Sequence, residues 1–172
     1  MTNLDIEIDD KGILIPESEQ TAVSLLDGHA RIRVPGNTTR DSFTVVEHTG
    51  QRGYNTPLHY HHIEDEVFMV LDGALRMVCD GQEQLAEAGT TMVIPRMVAH
   101  GFVAISNDVR FLTIHSTPDL GNKPQFDLFL AAEMPAAQAT RMPTEEIGPD
   151  LDHIISLGTT YGYSYAGPAP MP

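Results

Sequence analysis

The 172-residue chain is poor in cysteine, in basic residues and in long apolar runs. The one cysteine, Cys79, rules out an internal disulfide. It lies beside an Asp80-Gly81 turn signal with no charged partner evident that would activate it, so it reads as structural rather than nucleophilic. Ten lysines and arginines stand against 24 acids, for a net charge of −14. That deficit argues against nucleic acid, which needs a basic surface, and against docking on anionic membranes. No apolar run approaches the roughly 18 residues of a membrane-spanning helix. Residues 1–10 alternate apolar and acidic side chains, with neither the basic start nor the apolar centre of a signal peptide, and a cytoplasmic location is the expectation. No internal repeat is present.

What is present is an ordinary hydrophobic fraction, 41%, in a length that suits one domain with one sizeable core. From Ala30 onward, β-forming segments recur every eight to ten residues between turn signals. They are 31–34, 42–49, 66–71, 74–78, 84–86, 91–94, 100–105 and 110–116, with 50–57 read as a loop. Asp72-Gly73, Asp80-Gly81 and Ala88-Gly89 mark turns between them. The spacing predicts an all-β fold, an antiparallel sandwich or barrel, and leaves no room for the crossovers of a parallel sheet. Before it, Ile13-Leu14-Ile15 reads as a short edge strand stopped by Pro16, and 21–26 as a strand or a helical turn. After it, two short helices are expected. One starts at Pro124, shows Phe126, Phe129 and Leu130 on one face, and stops at Pro135. The other is capped by Asp150, shows Leu151, Ile154 and Ile155, and ends at Gly158. Both stripes read as core packing. Tyr161, Tyr163 and Tyr165 alternate with small residues before a proline-rich end, which reads as an edge strand or as a cover for the barrel mouth or a subunit interface.

The chemistry is concentrated in two glycine-framed stretches. The first is Gly53, five residues, His59, Tyr60, His61, four residues, Glu66, six residues, Gly73; the second is Gly89, five residues, Pro95, four residues, His100. Residues i and i+2 of a strand share a face, so His59 and His61 point the same way and Tyr60 points opposite. Three imidazoles and one carboxylate suit a first-row divalent metal, leaving a net charge of +1 and open coordination positions. Phe68 and Val70 share a face with Glu66, and Phe102 with His100. Tyr54, Phe68, Met92 and Phe102 are the candidates for an apolar pocket around the cation, beside Tyr60 and Met97. Arg96, ahead of Arg52 and Arg76, is the candidate to meet an anionic substrate. His62 has the wrong parity for a ligand, His115 is placed to line the barrel, and His29, His48 and His153 show no partner pattern.

The two stretches resemble the paired motifs of the cupin superfamily, the first with every position filled. In the second, Met97 replaces the usual glycine and Ala104 the usual asparagine, neither of them a ligand position. The wording from Thr56 to Glu66 resembles single-domain quercetin dioxygenase-like cupins, a likeness that extends over roughly 28–166. The resemblance implies a jelly-roll barrel spanning 29–118, with a C-terminal helical segment and tail over 119–172. It implies a leader, 1–28, that crosses to a partner subunit. It also implies metal ligation by His59, His61, Glu66 and His100, and catalysis by Glu66 as a base. Iron, manganese, nickel, cobalt and copper all accept such ligands.

Sheet edges that need cover, and a β-like leader too short to fold alone, make a homodimer the expected state. The favoured activity is a dioxygenase acting on a small aromatic or enolic substrate, flavonol- or polyketide-like. A non-redox isomerase, cyclase or dehydratase would use the same residues. A small-molecule-binding module without catalysis is a third reading, disfavoured because Glu66 is retained and no helix-turn-helix extension accompanies the barrel.

Overall fold

The computed structural model describes residues 12–116, 125–134 and 151–172. Eleven strands and two helices are described: β1 (Ala22–Leu25), β2 (Gly28–Val34), β3 (Phe43–Gln51), β4 (Asn55–His61), β5 (Asp65–Asp72), β6 (Ala74–Cys79), β7 (Gln82–Glu87), β8 (Thr91–Ile94), β9 (His100–Ala104), β10 (Asp108–Ser116), α1 (Gln125–Glu133), α2 (Leu151–Tyr161) and β11 (Tyr163–Gly167). A six-stranded sheet runs β1-β2-β3-β10-β5-β8, and a five-stranded sheet runs β11-β4-β9-β6-β7. The pairings within both are antiparallel. This is the jelly-roll sandwich expected, with its two sheets face to face around one core.

Alternation does the sorting. Along β3 and β10 every second residue is buried, as the pleat requires when one face meets a core and the other meets water. Phe68, Leu75, Met77, Phe102 and Phe111 fill the barrel interior. Asp80 and Gly81, with φ of 50° and 73°, form the tight β6–β7 hairpin that an Asp-Gly pair favours. Gly73 does something different: it turns the chain from β5 in one sheet to β6 in the other.

Several expectations are corrected. No strand forms at Ile13-Leu14-Ile15, where Leu14 is 92% exposed and no neighbouring strand offers a partner. Of 21–26, read as a strand or a helical turn, Ala22–Leu25 form β1, which pairs with β2. Residues 1–11 lie outside the described residues. The expected 50–57 loop shrinks to a short turn, because Gly50 stays in β3 and β4 starts at Asn55. Gly50 is there for space, since a side chain would collide with the Tyr54 ring. Met97 keeps the turn of the second motif by adopting a left-handed backbone, φ 67°, and its N–H still donates to the His61 carbonyl at 2.8 Å.

Helix α2 runs three residues past Gly158, which is buried inside it. Pro124, Pro135 and Asp150 lie outside the described residues. The helices cover β1–β3: Phe129 and Leu130 of α1 join Val23, Leu25, Ile32 and Val46 in a second core, with Ile154 and Leu157 of α2 against it.

Gly158 supplies a test of this packing. A glycine-to-alanine change inside a helix ordinarily stabilises, by up to about 1 kcal/mol. Here the added Cβ would lie 2.6 Å from the backbone oxygen of Tyr163. Gly158→Ala is therefore expected to destabilise by roughly 1–3 kcal/mol, as overpacking does, read as a lower midpoint in thermal or urea unfolding. A raised midpoint would show that β11 does not press on α2 in this way.

Candidate metal centre

Three strands from two sheets bring the motif residues together. On β4, His59 and His61 project into the barrel, while Tyr60 stacks outside on His62 at 5.5 Å. The β4–β9 register sets His59 opposite His100, with ring centroids 4.4 Å apart. Glu66 opens β5 in the facing sheet. One ligand atom from each of His59, His61, Glu66 and His100 lies within 4.8 Å of all the others. His100 Nε2 is 2.8 Å and His61 Nε2 3.6 Å from Glu66 Oε2.

The backs of the rings decide which nitrogen is free. His59 Nδ1 donates to the Pro57 carbonyl at 2.9 Å, and His100 Nδ1 to the Val98 carbonyl at 2.9 Å. His61 Nδ1 donates to the Glu64 carboxylate at 3.0 Å. A carbonyl or carboxylate oxygen accepts only, so each Nδ1 carries a proton and Nε2 is the nitrogen turned to the cluster; His100 Nε2 itself donates to Glu66 Oε2 at 2.8 Å, a proton that a bound metal would replace. His61 Nε2 is buried without a hydrogen-bond partner among the described residues. Adjacent donors on an octahedral ion with bonds of about 2.1 Å lie about 3 Å apart, and the His100–Glu66 separation is close to that edge. The donor set fits a divalent transition metal.

Electrostatics agree. Burial would raise the Glu66 carboxyl, but His115, His100 and His61 outweigh it and hold the group well below the usual carboxylate range. Burial would lower His100, and the Glu66 carboxylate reverses the sign and raises it. Burial, then the neighbouring His100 and His61, lowers His59 to about 3, so this ring is neutral and its lone pair free.

Two further side chains adjoin this cluster: Glu64, which sequence reasoning missed, and His115, which it placed only in the barrel lining. Glu64, 2% exposed, sits between β4 and β5, and its Oε2 lies 3.6 Å from His115 Nδ1 as well as accepting from His61. His115, on β10 opposite Glu66, places Nε2 3.4 Å from Glu66 Oε1. The available signal was a glutamate three residues after His61, but parity stops being informative in a turn. His48, for which no partner was expected, shares hydrogen bonds with Tyr54 Oη and Thr113 Oγ1, each at 3.1 Å, and stacks on Phe111. Burial lowers it to about 3, so it is neutral.

A cavity of about 90 Å3 opens onto the cluster. Phe68 and Phe102 line it, as expected, and three other expected pocket residues do not. Tyr54 is committed to the core, its ring wedged against Gly28 and Gly50. Met92 packs against the barrel core from the edge strand β8. Arg96 grips Asp65 instead, with Nη2 2.8 Å from Oδ2 and its backbone N–H 2.9 Å from Oδ1. Arg52 and Arg76 are likewise occupied, by the carbonyls of Ile105 and Met171. Much of the remaining wall comes from the C-terminal part of the chain: Phe126 and Phe129 on α1, Ile154 and Ile155 on α2, Tyr163 and Tyr165 on β11, joined by Leu25, Leu26, Thr56 and Pro57. The helical stripes therefore face the cavity as well as the core. β11 is both an edge strand and part of the cavity wall, because its pairing sets Tyr163 against His61 and Tyr165 against His59.

The cupin domain family matches residues 46–115. Over 84 residues, 49% of this chain, the sequence is 32% identical to quercetin 2,3-dioxygenase of Bacillus subtilis (strain 168). The match spans only 25% of that protein's length. Among solved structures, KdgF from a Halomonas species superposes with a TM-score of 0.56 at 20% identity, over 63% of this chain and 96% of that one. The polyketide cyclase RemF from Streptomyces resistomycificus does so with a TM-score of 0.52 at 23% identity, over 63% and 83%. The structural likenesses speak to the fold, and the cupin domain match over residues 46–115 takes in the strands that carry the four candidate ligands, so this part of the chain resembles a cupin domain.

Proposed function

We propose that the chain is a metal-dependent dioxygenase acting on a small aromatic or enolic substrate, flavonol- or polyketide-like, bound with an oxygen toward the His/Glu cluster. The observation that supports it is the setting of the cluster: three of its four donors, His59, His61 and Glu66, line a cavity walled by phenylalanine rings and aliphatic side chains. Such walls suit a flat, largely apolar molecule. The likeness to a quercetin dioxygenase points the same way.

His59, His61, Glu66 and His100 would hold one divalent cation: iron, manganese, nickel, cobalt or copper. Bound there, it would acidify a substrate hydroxyl and supply the Lewis-acid or redox chemistry toward dioxygen. The chain's own residues do the rest. Phe68, Phe102 and Phe126 pack against the substrate rings and exclude water, which strengthens every charge interaction inside. Glu66 is ionised, and takes the hydroxyl proton on Oε1, the oxygen facing His115. Thr56 Oγ1 lines the same wall, buried and without a hydrogen-bond partner among the described residues, and offers itself to a second substrate oxygen.

The reaction class is tested with quercetin as probe in an oxygen electrode. Substrate loss and dioxygen uptake are expected to run in step and to stop under argon. Conversion at equal rates in air and argon would instead assign an isomerase, cyclase or dehydratase.

The role of Glu66 is tested per bound metal. Glu66→Gln keeps one coordinating oxygen and is expected to lower turnover by roughly 10²–10⁴, the contribution of a general base, with only partial metal loss. His61→Ala is expected to lose metal and activity together. Wild-type turnover per metal in Glu66→Gln would leave Glu66 as a ligand only.

The same reading takes the protein as a homodimer. Met69 and Leu71 on β5 and Val93 on the edge strand β8 leave apolar surface on the outside of the six-stranded sheet. Sedimentation at micromolar concentration is expected to give twice the 18.8 kDa chain mass; a clean monomer would exclude the dimer.

A further inference from the structure

We propose that Glu64 and His115 form a buried brace that orients two of the candidate ligands, His61 and Glu66, and so sets how tightly the site holds its metal. The inference rests on reading the His/Glu cluster as a metal centre. It adds two positioning residues that are not among the four candidate ligands.

The three histidines are not held alike. His59 and His100 each give their Nδ1 proton to the backbone carbonyl two residues earlier, Pro57 and Val98. His61 gives its proton to a side chain, Glu64, at 3.0 Å. A carboxylate is a stronger acceptor than a carbonyl, and a histidine backed by one is a more basic ligand at its other nitrogen. Glu64 is itself fixed from a third direction. The Phe126 backbone N–H of α1 donates to its Oε1 at 3.3 Å.

His115 spans the two carboxylates. Its Nδ1 lies 3.6 Å from Glu64 Oε2 and its Nε2 3.4 Å from Glu66 Oε1, with Thr113 Oγ1 at 3.1 Å from the same nitrogen. Its ring stacks on Phe126, centroids 4.1 Å apart, which leaves it no room to swing away. The brace thus runs from His61 through Glu64 and His115 to Glu66, and α1 locks it from outside. His61, Glu64 and His115 also converge closely enough to suggest a second cation. The geometry disfavours that, because His61 Nδ1 carries the proton it gives to Glu64 and has no lone pair to offer there.

The test uses metal-free full-length protein titrated with Co2+, and 15N spectra of its histidine rings. Wild type is expected to bind one ion per chain. Glu64→Leu and His115→Phe, the latter keeping the stack on Phe126, are each expected to weaken binding 10–100-fold, the usual cost of losing a group that supports a ligand. Glu64→Gln, which keeps an acceptor oxygen, should recover part of the loss. His62→Ala, at the exposed neighbour bonded to Ser164, should leave binding unchanged. The His61 ring should be protonated at Nδ1 in wild type and shift toward Nε2 in Glu64→Leu, a change that a merely structural role would not produce. Wild-type affinity in both Glu64→Leu and His115→Phe overturns the brace, as does an Nε2-protonated His61 in wild type, which needs no variant to fold. Two ions per wild-type chain, falling to one in His115→Phe, overturns it in favour of a second cation. A wild type that binds no Co2+ removes the metal centre itself, and the brace with it.

Discussion

A carboxylate buried among imidazoles is the constraint on which the rest depends. Glu66 has the Nε2 atoms of His100, His115 and His61 within 2.8, 3.4 and 3.6 Å. An isolated carboxylate in such a place would cost many kcal/mol and would protonate instead. It remains ionised because imidazoles converge on it from both sheets, with His100 and His115 raised in return. That convergence requires the β4–β9 and β5–β10 registers to be what they are: a shift of one residue in either would turn the histidines to the outside.

The C-terminal part of the chain completes what the barrel leaves open. A jelly roll of this size exposes its sheet edges and the mouth of its interior. Here β11 pairs with the ligand strand β4, while α1 and α2 lie against β1–β3 and wall the cavity. Phe126 takes part at three levels: its ring lines the cavity, stacks on His115, and its backbone N–H reaches Glu64. Substrate space and ligand support are therefore coupled through one helix. A change in α1 that alters pocket shape will also be felt at the candidate ligands His61 and Glu66.

The cluster itself has little sensitivity to the kind of reaction. Three neutral imidazoles and a carboxylate will bind several metals and polarise a substrate oxygen for oxidation or for proton transfer alike. What discriminates is the cavity, whose walls are largely apolar and aromatic and include no arginine among the described residues. An anionic substrate that needs a guanidinium partner finds none of Arg52, Arg76 or Arg96 available. That favours a neutral, flat molecule that ionises only once it is bound.

Short-range periodicity determined a good deal. Strand parity sent His59 and His61 inward and Tyr60 outward, and glycine and Asp-Gly signals placed most turns within a few residues. Those features are set by the backbone of a few consecutive residues, so the sequence carries them locally. Other features depended on neighbours far along the chain. Arg96 looked free until Asp65, 31 residues earlier, was folded beside it. Gly158 looked like a helix stop until Tyr163 was packed against it. Glu64 and His115, 51 residues apart, met only because β10 pairs with β5 and the turn before β5 points inward. Register and turn direction are decided by which surfaces can be buried together. That is a property of the whole packed sandwich, and no window of sequence contains it.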